Sequence, residues 1–503
     1  MKTIILAFAL LFSSVFALDG YRCGTLGFVE NSKKNAKKLL AKNGCIPENY
    51  YGKVLERRTQ NFIIFYTEEK LHAIKTPLYI DSLALYLENA LKMFKDSLGL
   101  KYILGATQTL HYKKNVPAGL YPVEVADTGL LRGSEGDFAT VYGLTFSVNE
   151  LRPERTQIVI ENDFLYGANC FGTPSSQPFK SYYSTNTDYS VHWHLALKAT
   201  VFHELYHSFQ ATYFDINRYR TFWLEASAAG AEEIGAPEIN DYLDNIYSFS
   251  RTYKNPIMNM EESYNDYAYS TLYLFLFSEL GPKFDSHIWN SFSKNPREKF
   301  AMHLAGLAKS IDEDNDPEDL FHEYARRMFF SGNRASVAKA NPFWPDQHEW
   351  PAWRVRSENT ALPVLPATSL DFVRQTDSIP PNTDSAKISL LEYGDSAVWV
   401  LSRLLEREYI PPPIIDTLSK KRVLAAYPNP WNPNISHVTF RLPEKSKGVE
   451  IRSSNGILLE RIKSEDSTVT WPLTWPPKKL PPPGILYYRD LPYGKNKPLI
   501  VEW

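Results

Sequence analysis

The residues with the clearest chemical potential lie in one short stretch, Val201 to Gln210, which reads VFHELYHSFQ. It holds His203, Glu204 and His207 in an H-E-x-x-H pattern, inside a run that reads as helix from about Ser190 to Phe214. At 3.6 residues per turn, His203 and His207 project from one face, one turn apart. Two imidazoles so placed can grip one zinc ion, and Glu204 beside them can take a proton from a water held there. A catalytic zinc needs a third protein ligand and an open fourth position. The next segment, Thr221 to Glu233 (TFWLEASAAGAEE), offers Glu225 for that role. Its small residues, Ala226 through Gly230, suit a helix pressed closely against another one. The same residues also fit a plain packed helix pair carrying one more surface carboxylate.

The pairing HELYHSFQ…FWLEASAAGAEE resembles the gluzincin metallopeptidases, above all a secreted bacterial branch with a W-x-E-[AG]-x-A signature. Trp223, Glu225, Ala226 and Ala228 match that signature, and the likeness is closest to the MXAN_6640 family of secreted metalloproteases. The resemblance implies His203, His207 and Glu225 as Zn2+ ligands and Glu204 as general base. It departs at Ala229, where many gluzincins carry an Asp that orients a ligand His. Glu232 or Glu233 would then supply that outer contact.

Other elements must hold these residues in place. Asn61 to Tyr66 (NFIIFY) alternates and is rich in β-formers, which predicts the first strand. A helix is expected from about Tyr79 to Leu98, then strands at Gln108 to Tyr112, near Thr140 to Phe146, and at Thr156 to Ile160. This lead-in also resembles the gluzincin branch, where an edge strand above the site binds extended peptide, and Ala139 to Phe146 is the candidate edge. Glu161 to Thr187 reads as a loop over the entrance to the site. His192 and His194 read as ordinary helix residues. Tyr264 to Gly281 reads as a long apolar helix whose Tyr267 and Tyr269 are candidate donors to an oxyanion. Tyr269 is preferred, because YSTLYLFLF resembles the family's Y-x-x-x-x-F pattern; the competing reading puts both phenols at the margin of the core.

At 503 residues the chain exceeds a single core. The expected class is α+β: a gluzincin-like metallopeptidase domain with a mixed sheet and zinc-binding helices, followed by β-sandwich domains. Residues 1–17 read as a signal peptide, with Lys2, an apolar run from Ile4 to Phe12 and a small-residue site at Val15-Phe16-Ala17. Residues 18–60 form a lead-in or pro-segment, 61–335 the metallopeptidase-like domain, and 336–408 a small β-sandwich. A proline-containing linker at 409–424 leads to an Ig-like β-sandwich at 425–503. The YPNPWNP opening and GILYYRDL close of this last segment resemble the C-terminal sorting domains of the bacterial type IX secretion system, which implies contact with secretion machinery. The usual lysine-tipped last strand is absent, since the chain ends Val501-Glu502-Trp503.

A net charge of −2 excludes an electrostatic case for nucleic acid or an anionic membrane, and no stretch reads as a transmembrane segment. With three cysteines, Cys23, Cys45 and Cys170, no disulfide framework organises the fold; Cys23 and Cys45 can close one local loop. Ile311 to Asp319 (IDEDNDPED) superficially suggests a calcium loop but lacks the glycine and distal Glu of an EF-hand, and better fits acids gathered at a helix N-terminus. The expectation is therefore a secreted or cell-surface, monomeric zinc metallopeptidase acting on protein or peptide. The absence of a G-x-M-x-N motif favours an endopeptidase. The alternative is a non-catalytic surface-binding or adhesive protein on a metallopeptidase-like scaffold; a glycan hydrolase built on paired carboxylates finds no local support.

Overall fold

The computed structural model describes residues 52–501 apart from residues 129–140, 148–150, 166–175, 182–186, 253–259, 261–265, 312–315, 338–339, 358–364, 376–385, 407–424, 428–437, 443–445, 454–457, 465–467, 472–483 and 492–496 and isolated positions 177, 217, 220 and 395. The signal peptide, all three cysteines, the linker and most of YPNPWNP therefore lie outside the described residues. The class is α+β, 39% helical and 26% strand. Two compact units are present, within Met1–Asn255, Met260–His303 and Phe343–Pro351 for the first and within Pro256–Asn259, Leu304–Pro342 and Ala352–Trp503 for the second.

The first unit is built on a six-stranded mixed sheet. β1 (Val54–Arg58) pairs antiparallel with β2 (Phe62–Thr67), and after α1 (Pro77–Lys92) come β3 (Leu104–Gly105), β4 (Tyr121–Val125), β5 (Gly143–Ser147) and β6 (Arg155–Ile160). β2, β4 and β6 run parallel, and β5 adds to β6 antiparallel, with Gly143 opposite Ile160 and Ser147 opposite Thr156. The central strands are buried along most of their length, as parallel strands covered on both faces must be. Three strands depart from the sequence reading, among them the two-residue β3. β1 lies in the expected lead-in, and β4 occupies a stretch not anticipated as strand, because Pro122 and Glu124 mask its pattern.

Conversely, Gln108 to Tyr112 is no strand and makes only an isolated bridge from Gln108 to Asn115. Thr109 N–H donates to the Lys114 carbonyl (2.9 Å), and the next three N–H groups go to side chains: Leu110 donates to Gln157 Oε1 (2.9 Å), and His111 and Tyr112 donate to the buried Glu124 carboxylate (3.2 and 2.7 Å). A side chain thus does what a ladder would have done.

α1 packs on β2, and the next helix packs on β5 and β6. α2 (Trp193–Gln210) carries H-E-x-x-H, α3 (Trp223–Gly235) carries Glu225, and α4 (Tyr242–Thr252) follows. A 3-10 turn (Asp266–Tyr269) leads into α5 (Ser270–Leu280), then α6 (Phe284–Lys294). α7 (Phe300–Ile311) begins in this unit and continues into the second. Of the small residues expected to allow close packing, Gly230 does so, since a Cβ there would stand 2.4 Å from the Tyr273 ring; Gly235, at the end of the same helix, is also close-packed, with a Cβ there 2.0 Å from Phe202.

In the second unit, α8 (Pro317–Met328) packs on an antiparallel sheet ordered β7-β9-β8, formed by β7 (Ser369–Arg374), β8 (Lys387–Tyr393) and β9 (Ser396–Arg403). His322 is held between Ser389 and Ser402 hydroxyls, each at 2.8 Å. Where a small β-sandwich is expected, the described residues thus show one sheet covered by a helix. Asp316 caps α8 by accepting from the Glu318 backbone N–H (3.1 Å), and Glu318 accepts from the Leu404 and Leu405 backbones. These acids serve the helix end and its packing. The C-terminal strands form two sheets, one of β10 (Ala425–Tyr427), β11 (Val438–Arg441) and β14 (Thr468–Trp471). The other is ordered β13-β12-β15-β16, from β12 (Gly448–Arg452), β13 (Leu458–Lys463), β15 (Gly484–Asp490) and β16 (Lys497–Val501). Val438 and Phe440 of one sheet share a core with Val449, Ile451, Leu486 and Leu499 of the other, the arrangement of a β-sandwich.

Candidate metal centre

α2 is buried along nearly its whole length, from Ala196 to Gln210. It is anchored by the buried Asp285, which accepts from the Tyr206 hydroxyl (2.7 Å) and the Tyr273 hydroxyl (3.0 Å), while Trp289 Nε1 donates to the Tyr206 oxygen (2.9 Å). Burial pushes the Asp285 carboxyl up to about 7, against the pull of these hydroxyls. Tyr206 thus ties α2 to α6 through a residue on the turn between the two histidines.

The two histidines meet α3. His203 Nε2 lies 3.2 Å from Glu225 Oε2 and 3.2 Å from His207 Nε2, and His207 Nε2 lies 3.5 Å from Glu225 Oε2. All three residues are buried, and they form a group that can hold a metal ion. Three ligands of a tetrahedral ion at the usual Zn–N and Zn–O distances stand about 3.3 Å from one another, so the triangle has the right size. Glu225 is wholly buried and its Oε1 has no hydrogen-bond partner, as suits a carboxylate placed for a cation. Burial drives its carboxyl upward, but His207 and His203 outweigh that and hold it below the usual carboxylate range.

Each histidine is steadied through its other nitrogen. His203 Nδ1 lies 3.2 Å from Glu232 Oε2, one turn beyond the position that Ala229 leaves empty of an acid. Glu233 is turned instead toward Trp344 Nε1 (3.2 Å), and burial, with Asp346 and Glu232 close by, pushes its carboxyl up to about 9. His207 Nδ1 lies 2.7 Å from Gln210 Oε1, and Gln210 Nε2 donates to Leu224 O (2.9 Å) and Ser227 Oγ (3.0 Å). An amide that donates to α3 and faces His207 with its oxygen leaves the histidine's Nδ1 to donate, which frees Nε2 as a ligand. The role of Gln210 escaped the sequence reading, though its place one turn beyond His207 was the available signal. Exchanging Glu232 for glutamine is expected to weaken zinc binding by about 10- to 100-fold with the fold intact, as measured by competition with a chromogenic chelator.

Glu204 sits on the neighbouring side of α2, 1% exposed, and its Oε2 accepts from the Thr145 hydroxyl (2.8 Å) on β5. β5 passes so close that a Cβ on Gly143 would stand 2.6 Å from Glu204 Cγ. The candidate edge strand therefore lies against the candidate base, and among the described residues it pairs with β6 alone.

Glu204 and His203 line one small cavity, which Tyr267 also lines. The Tyr267 ring stacks on His203, with centroids 5.7 Å apart and planes 18° apart. Tyr269, preferred from sequence, is fully buried, absent from the cavity wall, and set edge-on to Phe222 at 5.5 Å. Of the two candidate tyrosines, the 3-10 turn at 266–269 thus brings Tyr267 and not Tyr269 to the cavity wall. His192 and His194 are exposed at the start of α2, with their rings against each other at 6.3 Å.

No protein-family model matches the chain, and no curated protein matches it. Among the described residues, no helix is long and apolar enough to cross a membrane.

Proposed function

We propose that this chain is a secreted, zinc-dependent metallopeptidase of the gluzincin type. The observation that carries the proposal is the buried triangle of His203, His207 and Glu225, with Glu204 lining the same cavity as His203. Two imidazoles and a carboxylate suit zinc among the common divalent ions. When bound there, zinc supplies a Lewis acid and makes a water at the open position more acidic.

The chain's own residues do the rest. Glu204 takes the proton of the attacking water and passes it to the leaving amine. Thr145 holds the Glu204 carboxylate through Oε2, which confines it to the cavity side of the helix. Tyr267, on the wall of that cavity, is the side chain suited to donate to the oxyanion that forms at the carbonyl. β5 offers backbone groups along which an extended peptide aligns. The resemblance of the last β-sandwich to type IX sorting domains supports export through that machinery.

The test is metal removal. The purified protein is expected to cleave a mixture of unstructured peptides, to lose that activity on dialysis against a chelator, and to regain it with one equivalent of zinc. Cleavage that persists at undetectable metal content would overturn the proposal.

A further inference from the structure

One short stretch of chain leaves the sequence of the second unit to join the first. Phe343–Pro351 belongs to the unit of the candidate metal centre, while Leu304–Pro342 before it and Ala352–Trp503 after it belong to the other. It lies as a strap against the helices. Trp350 Nε1 donates to the Tyr242 hydroxyl on α4 (2.9 Å), and the Tyr247 hydroxyl donates to the Glu349 carbonyl (2.8 Å). The Phe343 ring stands edge-on to Phe275 of α5 at 5.3 Å. On α3 the strap meets Glu233, whose Oε1 accepts from Trp344 Nε1 (3.2 Å).

Asp346 of the strap makes a second contact there: its carboxyl group and that of Glu233 hydrogen-bond to each other. Ionised carboxylates only accept, so this bond exists only while one of the pair carries a proton. The neighbours decide which one does. Burial raises the Asp346 carboxyl, but the bond from Glu233, the nearby His348 and the Tyr242 hydroxyl (3.5 Å from Oδ2) draw it back down. Burial pushes the Glu233 carboxyl up to about 9, with Trp344 opposing and Asp346 and Glu232 adding to it. Glu233 is therefore the acid and Asp346 the acceptor. The titratable groups facing Glu233 are Asp346 on the strap, Glu232 on its own helix and Tyr242 on α4.

We infer that a proton shared between Glu233 and Asp346 latches the strap to α3, and that the strap loosens as alkali removes that proton. Without it, the charges of Glu233, Asp346 and Glu232 crowd a nearly dry space, and like charges so placed repel. Once the strap is open, Glu233 titrates at the ordinary glutamate value of 4.5; latched, it holds its proton to about 9. Opening therefore releases a proton between those values. The hold of the latch is whole below the lower one and is lost as pH rises toward the upper one. α3 also carries Glu225 and Glu232, so the latch bears on how firmly one wall of the candidate metal centre is held. It does not depend on the metallopeptidase reading.

Chymotrypsin reads the latch, because Phe343, Trp344 and Trp350 are cleavage sites on the strap itself. The full chain is digested briefly at steps from about pH 6 to about pH 9, and cuts within the strap are counted by mass spectrometry. A control peptide corrects for the protease's own pH dependence, and a sample without chymotrypsin subtracts any cleavage by the chain itself. In Glu233→Gln the side-chain amide donates to Asp346 at every pH and keeps an oxygen for Trp344. Strap cleavage in the unaltered protein is expected to rise by up to about tenfold per pH unit, the full linkage of one proton. In Glu233→Gln it is expected to stay level.

Should Glu233→Gln not fold, Asp346→Asn supplies the amide from the side of the strap and carries the same expectation. A rise in the unaltered protein that is absent from a folded variant supports the inference. Strap cleavage that stays level with pH in the unaltered protein, or that rises equally in a folded variant, overturns it. Neither result touches the peptidase reading, which metal removal tests through activity.

Discussion

Exchanging Glu204 for glutamine is expected to lower peptide-bond hydrolysis by about 10²- to 10⁴-fold, the contribution of a well-placed general base, while metal content stays at the level of the unaltered protein. The two halves of that outcome follow from separate contacts. Glu204 is not part of the triangle of His203, His207 and Glu225, so an isosteric amide leaves the ligands in place. Glutamine also keeps an oxygen for the Thr145 hydroxyl and fills the same space against Gly143. What it removes is the basic oxygen that accepts the proton of the attacking water. The loss should therefore appear in kcat, with KM changed little. Steady-state kinetics beside metal analysis by mass spectrometry reads both. Activity within about threefold of the unaltered protein would remove Glu204 from the mechanism, given that general-base losses run to orders of magnitude.

Much of the candidate site was legible in the sequence because its information is local. Spacing four apart places His203 and His207 on one face of α2 whatever surrounds the helix, and their Nε2 atoms stand 3.2 Å apart. The run of small residues after Glu225 announces a close helix contact, and Gly230 against Tyr273 shows how close. The outer contacts were less legible, because they depend on where a neighbouring helix ends up. Ala229 signals that one orienting acid is missing, but only the packing of α3 on α2 decides that Glu232 rather than Glu233 reaches His203. Tyr267 and Tyr269 are two residues apart, and a helix reading cannot choose between them. The 3-10 turn does, by setting one ring on His203 and the other on Phe222.

The fold divides the same way. β2 and β6 are legible as apolar β-branched runs, whereas β4 hides behind Pro122 and Glu124. The latter is buried because it has work to do: it accepts from the His111 and Tyr112 backbones and from Gln157 Nε2 at 2.7 Å. That same carboxylate is why Gln108 to Tyr112, with its strand-like composition, ends as a loop. A polar side chain that replaces a ladder leaves no periodic trace.

Exchanging Glu225 for alanine is expected to reduce bound zinc from one per chain to none and to abolish hydrolysis outright. Two histidines would remain, but a tight site needs three protein ligands, and no other His, Cys, Asp or Glu completes such a group with His203 and His207 among the described residues. The variant should still fold. Glu225 is a wholly buried carboxylate with one oxygen lacking a hydrogen-bond partner, so its removal deletes a desolvated charge along with its favourable contacts to the histidines. Thermal unfolding separates binding from folding. Zinc at about a thousand times its dissociation constant stabilises a folded site by about 4 kcal/mol, so the unaltered protein should melt several degrees higher with zinc than without, and Glu225→Ala should melt at one temperature in both conditions. A zinc-dependent rise that survives in Glu225→Ala would place the ion elsewhere. No zinc in either protein, even after reconstitution, would leave the triangle without a metal and shift the weight to a binding protein built on this scaffold.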